Sequence, residues 1–181
     1  MSDVAPLTPK AIRLDVATRL AAAGLVPAGN VLGFRTTPLP RSKMPGLLVY
    51  TSSKRSQNLS IASPYYRVIL DIAIECVLDG NTDEGLGDEL DDLATAVEAL
   101  LLTDPAWVDQ FERIGDTQID YGSAVDGERR MALAKLTIPV QFVTQFAPRI
   151  SDTPALSTVA VTVDTLPVDG SPEGHLTITL P

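Results

Sequence analysis

The residues in this chain best suited to chemistry are one histidine, one cysteine and one run of carboxylates. His175 is the sole imidazole, so any nucleophile–histidine–acid arrangement has to use it. It lies between a turn-forming stretch and a Thr-rich strand in "SPEGHLTITL", where an exposed surface ring is expected. Cys76 in "DIAIECVLDG" alternates with Ile72 and Ile74, which predicts an inert core thiol, because apolar burial raises a thiol pKa. A single cysteine also rules out an intrachain disulfide.

The segment 79–90, "DGNTDEGLGDEL", has some features of a calcium loop, with Asp79, Asn81 and Asp83 at the first, third and fifth positions. However, Glu84 stands where the sharp turn needs glycine, and Leu90 where a bidentate glutamate closes the site. A turn leading into a helix fits these residues better. Gly85 and Gly87 lack the third glycine and the parallel βαβ unit of a dinucleotide fingerprint. Asp88, Glu89, Asp91 and Asp92 could work as a general acid and base. In the first turns of a helix they read instead as a solvated face that the helix dipole favours. Phosphate loops, nucleophile elbows and metal-ligand spacings are missing from the sequence. The expectation is therefore a non-enzyme with no catalytic, cofactor-binding or metal residues.

The cations are clustered. Arg35, Arg41, Lys43, Lys54 and Arg55 fall within 21 positions of a chain whose net charge is −9. They are either a solvated patch or a contact for an acidic partner surface, where charge sets register and on-rate more than affinity. The overall acidity argues against tight sequence-independent binding to nucleic acid, which rests on neutralising phosphates.

The elements that must position these residues follow from periodicity. With 181 residues, 45% of them hydrophobic and 20% charged, the chain is long and apolar enough for one ordinary core and an appendage. No signal-peptide pattern or membrane-length apolar run stands out, so a soluble protein made in a cytoplasm is expected. Residues 9–24 predict a helix: Pro9 suits its first turn, Ile12, Val16 and Leu20 make its apolar stripe, and Gly24 stops it. Residues 31–36 predict a strand, and "TPLPRSKMP" a loop. Residues 46–58 and 65–78 predict a hairpin. Its second strand places Val68, Leu70, Ile72, Ile74, Cys76 and Leu78 on one face. A helix over 86–102, a short turn or helical piece at "DPAWVDQF", and strands at 112–123 and 129–145 complete the series. Asp126-Gly127 marks a hairpin turn, and Pro139 should make its strand an edge or force a bulge. The fold class is α+β: a mixed, mostly antiparallel sheet with two helices on one face. Residues 1–148 form the main domain. Residues 149–181 form a β-hairpin extension around Asp169-Gly170, too thin to stand alone.

The first hairpin is peculiar. "MPGLLVYTSSKRSQNLS" begins as a core strand and runs on through seven polar residues, from Ser52 to Asn58, that no core accommodates. This arm, the strand "RVILDIAIECVL", the acid-started helix, the "LTDPAWVDQF" turn and the closing strands "DTQIDYGS" and "MALAKLTIPVQF" follow one another in order. That order over residues 9–146 resembles the tail terminator proteins of long-tailed bacteriophages. The resemblance implies a structural subunit of a homohexameric ring. Such a ring caps the tail tube, ends its polymerisation and offers a docking face to the head–tail connector or neck. It also implies assembly in the host cytoplasm, residence at the neck-proximal end of the virion tail, and DNA passing through the lumen without specific binding. Neither cofactor nor membrane is implied. Under that reading the polar arm at 50–66 lies on a neighbouring subunit or on the tube, with Arg35, Arg41, Lys43, Lys54 and Arg55 as interface residues. The alternatives are a head-completion or neck ring protein, the cap of a contractile secretion device and, from another class, a small-molecule binding module.

Overall fold

A computed structural model describes residues 7–35, 39–59, 65–80, 83–126, 129–146, 158–163 and 174–179. Backbone contacts divide the chain into two units, 1–146 and 147–181.

The first unit opens with α1 (Pro9–Ala23). Thr8 caps it by accepting from the Ala11 N–H at 3.1 Å, and Gly24 ends it with φ +70, a conformation that suits a residue without Cβ. Strand β1 covers Val31–Gly33, three residues shorter than expected, because pairing with β2 stops at Gly33 opposite Val49. Next come β2 (Gly46–Asn58) and β3 (Tyr65–Gly80), then α2 (Asp83–Leu102) and the short α3 (Pro105–Val108). Strands β4 (Arg113–Ile114), β5 (Gln118–Asp126) and β6 (Arg129–Gln145) finish the unit. At the start of β2 glycine is required: a Cβ on Gly46 would meet the Lys43 carbonyl oxygen at 2.5 Å.

These strands make one six-stranded mixed sheet in the order β1-β2-β3-β6-β4, with β5 also on β6. The β1–β2 pair is parallel and the rest are antiparallel, so the α+β expectation holds. The alternating residues of β3 from Val68 to Leu78 are buried, as are Leu47 and Val49 of β2 and Ala134 to Phe142 on alternate positions of β6. Ile12, Val16 and Leu20 of α1 and Leu86, Leu90, Val97 and Leu101 of α2 belong to the same core. Each fully buried Leu or Ile adds about 1.5–3 kcal/mol. Trp107 of α3 is fully buried, edge-on to Phe111 with ring centroids 5.0 Å apart. Its indole N–H has no partner among the described residues.

The strand expected at 112–123 is two strands, and Pro139 is the reason. Ile114 pairs with Val140 and Gln118 with Thr137, so residues 115–117 oppose only Ile138 and Pro139. The Gly115 N–H donates to the Pro139 carbonyl at 2.8 Å, which shows that the backbone of Pro139 faces this break. Its missing donor falls where the ladder is already interrupted. The irregularity thus lies in the partner strands, and β6 is an interior strand. Thr117, inside the break, donates to the Glu98 carboxylate of α2. Between β5 and β6, Asp126 pairs with Arg129 as a strand residue, and Gly127 of the expected Asp126-Gly127 turn lies outside the described residues.

The second unit contains β7 (Thr158–Val163) and β8 (Gly174–Thr179), an antiparallel pair. Its register sets Val159 opposite Ile178 and Val161 opposite Leu176, so these four positions share one face of the ribbon. The turn expected at Asp169-Gly170 lies outside the described residues.

Candidate functional site

The feature that sets this sheet apart is its overhang. Val68 and Phe142 are the last buried pair on the helix-bearing face. Beyond them β3 and β6 run on to the Tyr65–Gln145 pair, and β2 to Asn58. Residues 52–59 of β2 and its end are all exposed. Since β1 pairs with β2 only through Val49, the outer edge of β2 beyond that point has no strand neighbour among the described residues.

A bulge decides where the arm's cations go. Thr51 pairs with Ile72 and Ser53 with Asp71, leaving Ser52 extra. The alternation begun by Leu47 and Val49 flips there. Lys54 therefore falls on the helix-bearing face, opposite Leu70, and Arg55 on the other face, opposite Ile69. Ser53 donates to the Asp71 carboxylate at 2.5 Å and the Ser52 hydroxyl to the Asp71 carbonyl at 3.2 Å, pinning the bulge. The Lys54 ammonium stands 5.9 Å from the Phe146 ring centroid, and Tyr66 meets the same ring edge-on at 5.3 Å. Phe146, Tyr65 and Leu59 are all exposed by more than two-fifths. On the helix-free face, Glu112 accepts from Arg67 at 3.4 Å and from Gln141 at 3.2 Å.

The five cations singled out in the sequence are not one patch. Arg41 and Lys43 sit at the other end of the sheet, next to the Gly46–Val77 pair. From Val77 to Leu70, the partner of Lys54, is seven residues, about 23 Å at 3.3 Å per residue. Both are engaged within the chain: Arg41 Nε lies 3.0 Å from the Asp79 carboxylate, and Lys43 donates to the Gly29 carbonyl at 2.8 Å. Arg35 is exposed just past β1. Lys54 and Arg55 alone belong to the overhang.

The chemical candidates are placed as follows. Cys76 is buried, and burial pushes its thiol up to about 12. Asp79 is on β3 and holds Arg41, while Leu90 is buried against the sheet where a calcium loop would need its last ligand. Asn81 lies outside the described residues. Among the described residues no three His, Cys, Asp or Glu side chains are grouped to hold a metal ion. His175 stands on β8 in register with Thr162. Asp88, Glu89, Asp91 and Asp92 are all exposed on α2. A hydrogen bond to Asp91, with some burial, raises the Tyr121 phenol. Burial first, then the hydrogen bond it donates to Glu75, raises the Tyr50 phenol. At the other sheet edge, Arg13, Leu14, Ala17, Val31 and Phe34 line an open groove between α1 and β1.

Sequence reasoning passed over the aromatic part of the overhang. The adjacent pair Tyr65-Tyr66 at the start of β3 was a usable signal, since one of two neighbours in a strand must leave the core face. Phe146 gave none, because its partners come from two other strands.

No family model matches this chain, and no curated protein matches it. Among solved structures, it is similar to a chain of the virion of a native gene transfer agent particle, with 15% identity and a TM-score of 0.37. The match covers 70% of this chain and 92% of that one. A likeness of that size is no argument for a shared role.

Proposed function

We propose that this protein is a non-enzymatic structural subunit that assembles into a hexameric ring and caps a phage-type tail tube. In this role it ends tube growth and offers a docking face for the head–tail connector. The observation that carries the reading is the overhang: a three-stranded arm that runs past its own core, with exposed aromatics and a charged edge that no other strand pairs among the described residues. Such an arm is costly to order without a surface to lie on. A closed ring needs two different patches on each subunit, and a projecting arm supplies one of them. The element order over 9–146, which resembles tail terminators, supports the same reading. Among the described residues no helix is long and apolar enough to cross a membrane. A net charge of −9 fits a lumen through which DNA slides without sticking.

Native mass spectrometry of the full chain, alone and with tail tubes, tests the proposal. It expects hexamers in solution and on tube ends. The groove between α1 and β1 favours the second reading, a small-molecule binding module. A binding module would be monomeric or dimeric and would gain thermal stability from its ligand.

A further inference from the structure

Charge in the first unit is sorted onto two surfaces that one chain does not bring together. One is the outer edge of β2 beyond Val49, which has no strand neighbour among the described residues and is flanked by Lys54 on one face and Arg55 on the other. Charges on a free edge deter random strand pairing, but they also leave the edge with a sign. The second surface is the solvent side of α2. Asp88, Glu89 and Asp92 are exposed there, opposite the buried Leu86, Leu90 and Val97. No ion pair among the described residues involves any of the three. Asp91 is engaged with Tyr121, which lies in register with Ala134 and through it with Cys76. Lys54 is level with Leu70, six residues further along β3, about 20 Å away. The opposite charges therefore have no route to each other within one chain.

We propose that the acidic face of α2 in one copy docks along the free β2 edge of a second copy, so that Lys54 and Arg55 meet Asp88, Glu89 and Asp92. This rests on the ring reading and names the two patches it requires. The geometry suits the contact. Asp88 and Asp92 lie one turn apart, about 6 Å along the helix, and a helix laid on the edge meets cations on both of its sides. Thr95 and Ala99 continue the same exposed side with small side chains, so the helix can approach closely. The groove at the α1–β1 edge is a poorer receptor for a basic arm, since Arg13 lines it. Because the two patches differ, the contact is head-to-tail, and each copy gives one arm and receives another.

The test uses three full-length proteins at low ionic strength: wild type, an arm-reversed variant (Lys54→Glu with Arg55→Glu) and a helix-reversed variant (Asp88→Lys with Asp92→Lys). Native mass spectrometry reads the assemblies and circular dichroism confirms that each variant folds. Each reversed variant alone should lose the ring, since its own two patches then repel. An equal mixture should restore rings containing equal numbers of both variants, because unlike copies present opposite charges at every contact. The milder pair Asp88→Asn with Asp92→Asn should still form rings, but at roughly tenfold higher concentration, and it serves if the reversed helix does not fold. Variants that assemble alone as wild type does, or a mixture that stays monomeric, overturn the docking and leave the ring reading standing. A wild type that never assembles overturns both.

Discussion

Lys54 stands opposite Leu70 across the β2–β3 ladder, on the face where the alternation begun by Leu47 and Val49 would have set Arg55. The extra residue at Ser52 causes the exchange, and ordinary strand alternation leaves one cation on each side of an edge that has no strand neighbour among the described residues. Neither side chain enters the core. Reversal of both charges should therefore change folding stability by no more than about 0.5 kcal/mol, read as an unchanged urea midpoint. A large loss of stability would show that the arm is part of the core.

Arg41 and Lys43 should behave differently. Their partners, Asp79 and the Gly29 carbonyl, are in the same chain. Lys43→Met should cost about 1 kcal/mol for the lost hydrogen bond. Arg41→Ala should cost less than about 1 kcal/mol, because the guanidinium is 68% exposed and its pairing is screened. Urea unfolding of the two single variants checks this. If both were as silent as the Lys54 and Arg55 changes, the sorting of cations into two groups would be wrong.

The helix layer makes its own prediction. Asp104 caps α3 by accepting from the Ala106 N–H at 2.9 Å, and it also holds Arg19 of α1, which Asp15 grips at 2.9 Å. Asp104→Ala removes both functions and should cost about 1–2 kcal/mol. Asp104→Asn keeps the cap and should recover most of that. Equal losses in thermal or urea unfolding would mean that the ion pair, not the cap, dominates.

The thiol of Cys76 sets a pH dependence. Its folded pKa, about 12, is raised above the ordinary value near 9. The unfolded chain therefore loses this proton first as pH rises. The associated stability is full below pH 9 and is lost as pH climbs from about 9 to about 12, at up to about 1.4 kcal/mol per unit. Cys76→Ala should flatten that part of the alkaline stability curve. A thiol reagent should label native Cys76 no faster than the protein unfolds.

For residues 147–181 the expectation concerns the whole chain. Truncation after Pro148 should leave a folded 1–148 core, because residues 12–142 supply a buried cluster of their own among the described residues. It should weaken the ring or block one docking face. Circular dichroism and sizing decide, and loss of the entire fold would place these residues in the core.

The core was legible in the sequence because its signals are local. Ile12, Val16 and Leu20 at helical spacing and Val68 to Leu78 at alternating spacing lie on the faces those periods predict. The break at 115–117 was not legible, since it answers Pro139, more than twenty residues away, through a ladder that only the fold creates. The basic cluster misled for a similar reason. Closeness in sequence becomes distance in space once the chain runs out along a strand, and one bulge exchanges the faces that Lys54 and Arg55 occupy. Lys54 and Arg55 were identifiable as arm residues, but not the faces they occupy or the aromatic company of Phe146.

The central claim is self-assembly into a ring of six. Native mass spectrometry of the full-length protein over a wide concentration range tests it most directly. A species of six chains, growing from monomer without a stable dimer between, is the predicted result. A closed dimer that persists at every concentration would contradict it.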